Sequence, residues 1–194
     1  MVKTKLPIVV LISGSGSNLQ SIIDASQHDL PVEIRAVISN RADAYGLTRA
    51  REAGIDTAVL DHRDYPDRES YDAALRELID RYQPGLLILA GFMRILSDDF
   101  VRHYEGRMMN IHPSLLPRYR GLNTHARAIE AGDKEAGCTV HFVTPELDAG
   151  PPIIQARVPI LDGDTPETLA ARVLEQEHRI YPEAIRLFVE GKLG

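Results

Sequence analysis

Cysteine occurs once in this 194-residue chain, at Cys138, which excludes an intrachain disulfide and fits a reducing compartment. Lys and Arg form no block, and the net charge is −6, which argues against a nucleic-acid groove as the main partner. The apolar run "LPIVVLIS" (6–13) is too short to span a bilayer and lacks the small-residue cleavage pattern of a signal peptide. A cytoplasmic location is therefore expected, with no membrane partner. There is no repeat, no low-complexity tract and no Pro/Ser linker. With 44% hydrophobic and 26% charged residues, the chain is expected to fold as one domain over 1–194 with a substantial core.

The present features alternate. "PIVVLIS" (7–13) reads as a buried strand closed by glycines, and a helix should start near Asn18. Next come a strand over 32–39, a helix over 46–53 stopped by Gly54, and a short strand over 57–60. A longer helix is expected over 70–82, a strand "GLLILA" over 85–90, a helix over about 97–104 and a strand "RMMNI" over 107–111. Such alternation predicts an α/β fold, an open, mostly parallel Rossmann-like sheet with helices on both faces. The pattern then changes to two strands, "CTVHFV" (138–143) and "PIIQARVPI" (152–160), and a long C-terminal helix. Thr165 is its expected N-cap and Pro166 its first position.

Two stretches carry chemistry. "SGSGSN" (13–18) joins a buried strand to a helix, where open α/β sheets place phosphate groups on free backbone N–H groups. The third glycine of a dinucleotide fingerprint is missing, the second strand ends without its acidic residue, and there is no Walker Lys-Ser/Thr pair. The turn thus reads either as a site for one phosphate monoester or as glycines serving geometry alone. In "MMNIHPSLLPRYRG" (108–121), Asn110 and His112 stand at a strand end on the same face, and Pro113 forces the chain out of the sheet. A lone histidine at a strand end is more often a structural hydrogen-bonder than a catalyst. Asp148, in the Gly/Pro-rich "LDAGPP", would favour the imidazolium if it folded against His112. Asn110 could serve an oxyanion, and no serine or cysteine has an evident base partner, so the parts suit acyl transfer to an external nucleophile. A metal set of His112, His141 and Asp148 lacks a closely spaced ligand pair, and no metal is expected.

Several blocks, "VLISGSGSNLQSIIDA", "LAGFMRILS", "MNIHPSLLPRYRGLNTHARAIEAGD", "HFVTPELDAGPPIIQARVPI" and "QEHRIYPEAI", together resemble the bacterial-type phosphoribosylglycinamide formyltransferases, from about residue 7 onward. The resemblance implies a one-carbon transferase of de novo purine biosynthesis. Its reaction would move a formyl group from the cosubstrate 10-formyltetrahydrofolate to the amine of glycinamide ribonucleotide by direct attack. It further implies that Asn110, His112 and Asp148 are catalytic, with His112 as general acid, Asn110 as oxyanion partner and Asp148 supporting the imidazolium. Gly16, Ser17, Asn18 and Glu177 would bind the ribonucleotide, and Arg68, Met93, Arg94, Ile95, Leu96 and Asn110 the folate. The N-terminal half would carry phosphate and ribonucleotide binding, the C-terminal half folate binding and catalysis. Homo-oligomers are compatible with the sequence.

The chain departs from the family pattern at Arg120 and Asn123, where relatives typically show Pro and His, at Ala149 in place of a common glycine, and at Leu174. These touch substrate geometry rather than the Asn, His and Asp core. Rival readings are a formyltetrahydrofolate hydrolase, a tRNA formyltransferase and a non-catalytic nucleotide-binding module. The first is expected to need an extra N-terminal domain and the second a C-terminal RNA-binding domain. With the first strand read from about Pro7 and the long helix read last, neither extra domain is expected.

Overall fold

The computed structural model describes residues 4–193. Their strands are β1 (Leu6–Ile12), β2 (Val32–Ser39), β3 (Thr57–Val59), β4 (Leu86–Leu89), β5 (Met108–His112), β6 (Glu135–Phe142) and β7 (Pro152–Pro159), in the sheet order β3-β2-β1-β4-β5-β6-β7. The helices are α1 (Ser17–Ser26), α2 (Tyr45–Glu52), α3 (Arg68–Asp80), α4 (Asp98–His103), α5 (Thr124–Glu130) and α6 (Pro166–Val189). By their contacts the residues fall into two compact units, divided between Met109 and Asn110.

In the first unit β1 pairs in parallel with β2 and β4, and β2 in parallel with β3. Strands sandwiched in this way have no wet face, which is why β1 and β4 read as continuous apolar runs. Ile8 to Ile12 and Leu86 to Ile88 are fully buried. Each such side chain contributes about 1.5–3 kcal/mol relative to exposure. Helix α1 turns Leu19, Ile22 and Ile23 inward, the i, i+3, i+4 stripe of an amphipathic helix. Helix α3 starts two residues before its expected position because Asp67 caps it, accepting the Ser70 N–H at 2.8 Å. Gly54, at φ 74, ends the turn after α2 as its position suggested.

In the second unit β6 and β7 form an antiparallel pair with an irregularity between Val140 and His141. Such a bulge re-aims side chains at a strand end. Helix α6 packs on both strands. Thr165 caps it as expected: its side chain accepts the Thr168 N–H while Thr168 Oγ1 accepts the Thr165 N–H, and Pro166 fills the first position. Its buried row Leu169, Val173, Glu177, Tyr181 and Ile185 recurs every fourth residue, so Glu177 is a carboxylate set in an apolar stripe.

Candidate active site

Strand β5 delivers Asn110 and His112 to its C-terminal end, and the strand stops at His112 because Pro113 has no N–H for the ladder. Asn110 is half-buried and His112 is buried. The His112 ring lies between two acceptors. Its Nε2 sits 2.8 Å from the Tyr119 carbonyl oxygen, and its Nδ1 faces Asp148 Oδ2 at 3.5 Å, with both side chains 7% exposed. A carbonyl can only accept, so Nε2 carries hydrogen; a second proton at Nδ1 completes an ion pair with Asp148.

Asp148 is itself fixed. Its Oδ2 accepts the Gly121 N–H at 2.9 Å, and its backbone takes the left-handed conformation at φ 51, which Asp tolerates better than most residues. Two positions beyond, Gly150 lies against the Phe142 carbonyl, where any Cβ would collide with backbone. The Phe142 N–H donates to the Pro151 carbonyl at 3.1 Å, closing the loop that presents Asp148.

The loop after His112 is held carbonyl by carbonyl. The carbonyl oxygens of Pro113, Ser114, Leu116, Arg118, Tyr119 and Arg120 accept, in order, from the side chains of Thr124, Thr139, Gln155, Ser114, His112 and Arg127, at 2.6 to 2.8 Å. Thr139 Oγ1 also accepts the Leu116 N–H at 3.1 Å. At roughly 0.5–1.5 kcal/mol net per hydrogen bond, this set contributes to fixing the loop beside its two prolines. Asn123, φ 57, stands at the N-cap of α5, a left-handed position that suits Asn and accounts for its presence there.

Two further histidines surround this centre. His141 Nδ1 donates to the Phe142 carbonyl at 2.9 Å, which leaves Nε2 as a buried acceptor with no hydrogen-bond partner. Burial pushes His141 below the ordinary histidine range, and burial does the same to His125, with positive charge on His112 adding to both effects. Of these three, among the described residues, His112 is the one whose ring nitrogen faces a carboxylate. Buried Glu177 helps burial to push the Cys138 thiol up to about 12, so that thiol is not a nucleophile near neutral pH. Among the described residues no group of three His, Cys, Asp or Glu could hold a metal ion.

In the first unit the turn after β1 is more than a glycine run. Gly16, φ 73, precedes α1 with no side-chain cap, and its missing Cβ leaves room for Gly46 of α2, whose Cα would lie 2.6 Å away. The Gly46 N–H donates to the Gly14 carbonyl at 3.0 Å. Geometry alone thus explains Gly16 and Gly46, while the uncapped first turn at Ser17 and Asn18 retains the character of an anion seat. Sequence reasoning missed Arg49, whose Nε donates to the Ser15 carbonyl at 2.7 Å and adds positive charge beside the turn. Ser13, at the end of β1, donates to Asn40 Oδ1 at 2.7 Å and accepts the Met93 N–H at 2.8 Å, tying the start of the 92–96 segment to the strand ends.

Along that segment Met93 and Ile95 are exposed at 69% and 61%, and Leu96 is half-buried. The Arg94 guanidinium lies over the Tyr71 ring at 4.6 Å, with Nε buried and without a hydrogen-bond partner. Tyr71 is anchored by donating to the Leu60 carbonyl at 2.8 Å. Exposed apolar side chains on an anchored backbone suit an apolar ligand ring. Arg68 is exposed in the first turn of α3.

Residues 6–185 match the formyl transferase family. The chain is 57% identical over 187 residues to a phosphoribosylglycinamide formyltransferase from Escherichia coli, covering 96% of this chain and 88% of that one. It is 47% identical over 188 residues to the trifunctional purine biosynthetic protein adenosine-3 of Gallus gallus, covering 96% of this chain and 19% of that protein. The solved phosphoribosylglycinamide formyltransferase of Coxiella burnetii superposes with a TM-score of 0.93 at 59% identity, over 96% of this chain and 88% of the other. A family match over nearly the whole chain, a shared fold and an Asn, His and Asp set at one strand end lead to one assignment: the chain belongs to the formyl transferase family.

Proposed function

We propose that this chain transfers the formyl group of 10-formyltetrahydrofolate to the primary amine of glycinamide ribonucleotide. The Escherichia coli and Coxiella burnetii relatives carry that enzyme's name. The observation that carries the proposal is the buried His112, held between the Tyr119 carbonyl and the Asp148 carboxylate, two residues beyond Asn110.

The substrate amine attacks the formyl carbon, a new C–N bond forms, and the carbonyl oxygen becomes an oxyanion. Asn110 donates to that oxyanion more strongly than to the ground-state carbonyl. Protonated His112, its charge balanced by Asp148, supplies a proton as the bond from the formyl carbon to the folate nitrogen breaks. The attacking amine gives up its proton to the His112 imidazole left by that transfer, so His112 returns to its starting protonation and atoms and charge balance. Aligning the two reactants contributes on the order of 7–11 kcal/mol. Burial holds His141 and His125 below the ordinary histidine range, and of the three rings His112 is the one that faces a carboxylate.

Gly16, Ser17 and Asn18 would seat the ribonucleotide phosphate on the open first turn of α1, with Arg49 alongside and Glu177 contacting the ribonucleotide. Met93, Arg94, Ile95 and Leu96 would wall the folate, with Arg68 and Asn110 contributing. In this reading one domain spans the chain, its N-terminal half serving phosphate and its C-terminal half catalysis. A cytoplasmic enzyme without nucleic-acid partners fits the net charge of −6, the single cysteine and the lack of a helix long and apolar enough to cross a membrane among the described residues. A homo-oligomer is compatible with this reading.

The test is release of deformylated folate from 10-formyltetrahydrofolate with and without glycinamide ribonucleotide. Release that requires the ribonucleotide, with formylated product confirmed by mass, supports the transferase. Release in its absence indicates a hydrolase and contradicts the proposal.

A further inference from the structure

Both ring nitrogens of His112 face acceptors, the Tyr119 carbonyl at 2.8 Å and Asp148 Oδ2 at 3.5 Å. A neutral imidazole has one N–H and must abandon one of them. Left to charge alone, the hydrogen would go to the carboxylate, because charge-assisted hydrogen bonds are the stronger kind. The distances say otherwise: 2.8 Å is a hydrogen bond and 3.5 Å is not. Something therefore holds the Tyr119 carbonyl close enough to win.

That carbonyl belongs to a residue in an uncommon conformation. Tyr119 has φ 54, a region bulky side chains rarely enter unless their surroundings over-determine it. Its phenol donates to Asp133 Oδ2 at 2.6 Å, and the Arg127 guanidinium lies over its ring at 5.4 Å. The carbonyls on either side are also taken: Arg118 accepts from Ser114 Oγ and Arg120 from Arg127, each at 2.6 Å. Asp133 is outside the strand that bears His112, so the phenol links the loop to a separate anchor.

The geometry points to Tyr119 as a positioning residue, its phenol on Asp133 fixing a left-handed backbone whose carbonyl holds His112 in the Nε2–H form. Nδ1, on the Asp148 side, is then the nitrogen that gains and loses the proton. The inference rests on the reading of His112 as a proton donor for its kinetic consequence, but not for the tautomer itself.

The experiment uses full-length protein labelled with 15N at histidine, in the wild type and in Tyr119→Phe and Asp133→Ala, each of which removes the phenol–carboxylate hydrogen bond. The neutral His112 tautomer is read by NMR without substrates, and kcat and KM are measured for both substrates. Wild type should show hydrogen on Nε2. Both variants should shift population toward Nδ1–H, with kcat at least about tenfold lower and both KM values little changed, a part of the 10²–10⁴ that general acid–base catalysis contributes. Asp133→Ala, which removes the acceptor of the phenol, supplies the same readout if Tyr119→Phe does not fold. Hydrogen on Nδ1 in the wild type, or an unchanged Nε2–H form in both variants, overturns the inference. A shifted tautomer with unchanged kcat leaves the positioning of the ring standing and overturns instead the role of His112 as proton donor.

Discussion

Replacing Asp148 by Asn removes one charge while keeping side-chain shape, an acceptor for the Gly121 N–H and a residue type at ease at φ 51. Ala would lose the Gly121 contact as well and is the poorer probe. A charge 3.5 Å from Nδ1 interacts with the imidazolium by about 5 kcal/mol at an effective dielectric near 20. Breaking one side of a buried pair generally costs about 3–5 kcal/mol, the same range. If about 3 kcal/mol of that balance is present at the transition state, kcat falls by roughly two orders of magnitude. The assay is steady-state formyl transfer with both substrates varied, beside a thermal unfolding curve showing that the fold persists. Asp148→Asn with kcat within about threefold of wild type, and an unaltered unfolding curve, would refute the reasoning, because a facing carboxylate would then contribute nothing.

Asn110→Ala should lower kcat about a hundredfold or more, the scale of losing one oxyanion donor, and leave folate affinity nearly unchanged by equilibrium titration; an undiminished kcat removes Asn110 from the mechanism. Gly150→Ala places a methyl on the Phe142 carbonyl and should destabilise the fold by about 1–3 kcal/mol in chemical denaturation while lowering kcat through Asp148. An unchanged denaturation midpoint would show that the loop yields freely. His141 is depressed by burial, so the unfolded chain takes up its proton first as pH falls. Its contribution is therefore intact above about pH 6.5 and is lost as pH falls from there toward the lower folded value. His141→Gln, which can still donate to the Phe142 carbonyl, should flatten that acid-side decline in denaturation measured at several pH values. An equally steep decline would assign it to other groups.

The strands and the long helix were legible because their cues are local. Buried parallel strands spell apolar runs, and Thr165 followed by Pro166 announces α6. Helix α5 was not foreseen, because it is short and starts from a left-handed Asn123 with no side-chain cap bond to betray it. Strand β6 begins three residues before its expected start because "EAG" reads like a turn, yet Gly137 lies pressed beneath the Ala156 carbonyl, where no side chain fits. At the site, Asn110, His112 and Asp148 were visible as side chains at loop and strand ends. The groups that aim them were not: the Tyr119 carbonyl and the Gly121 N–H are main-chain atoms, present in every residue. Arg49 escaped notice because its contact with the Ser15 carbonyl joins positions 34 apart in the chain.

The central claim is that proton transfer through His112 carries the reaction, and single-turnover formyl transfer by His112→Asn tests it most directly. With both substrates saturating, the chemical step should slow by about 10²–10⁴, the range of general acid–base catalysis, while substrate binding persists. A chemical step at the wild-type rate would contradict the account.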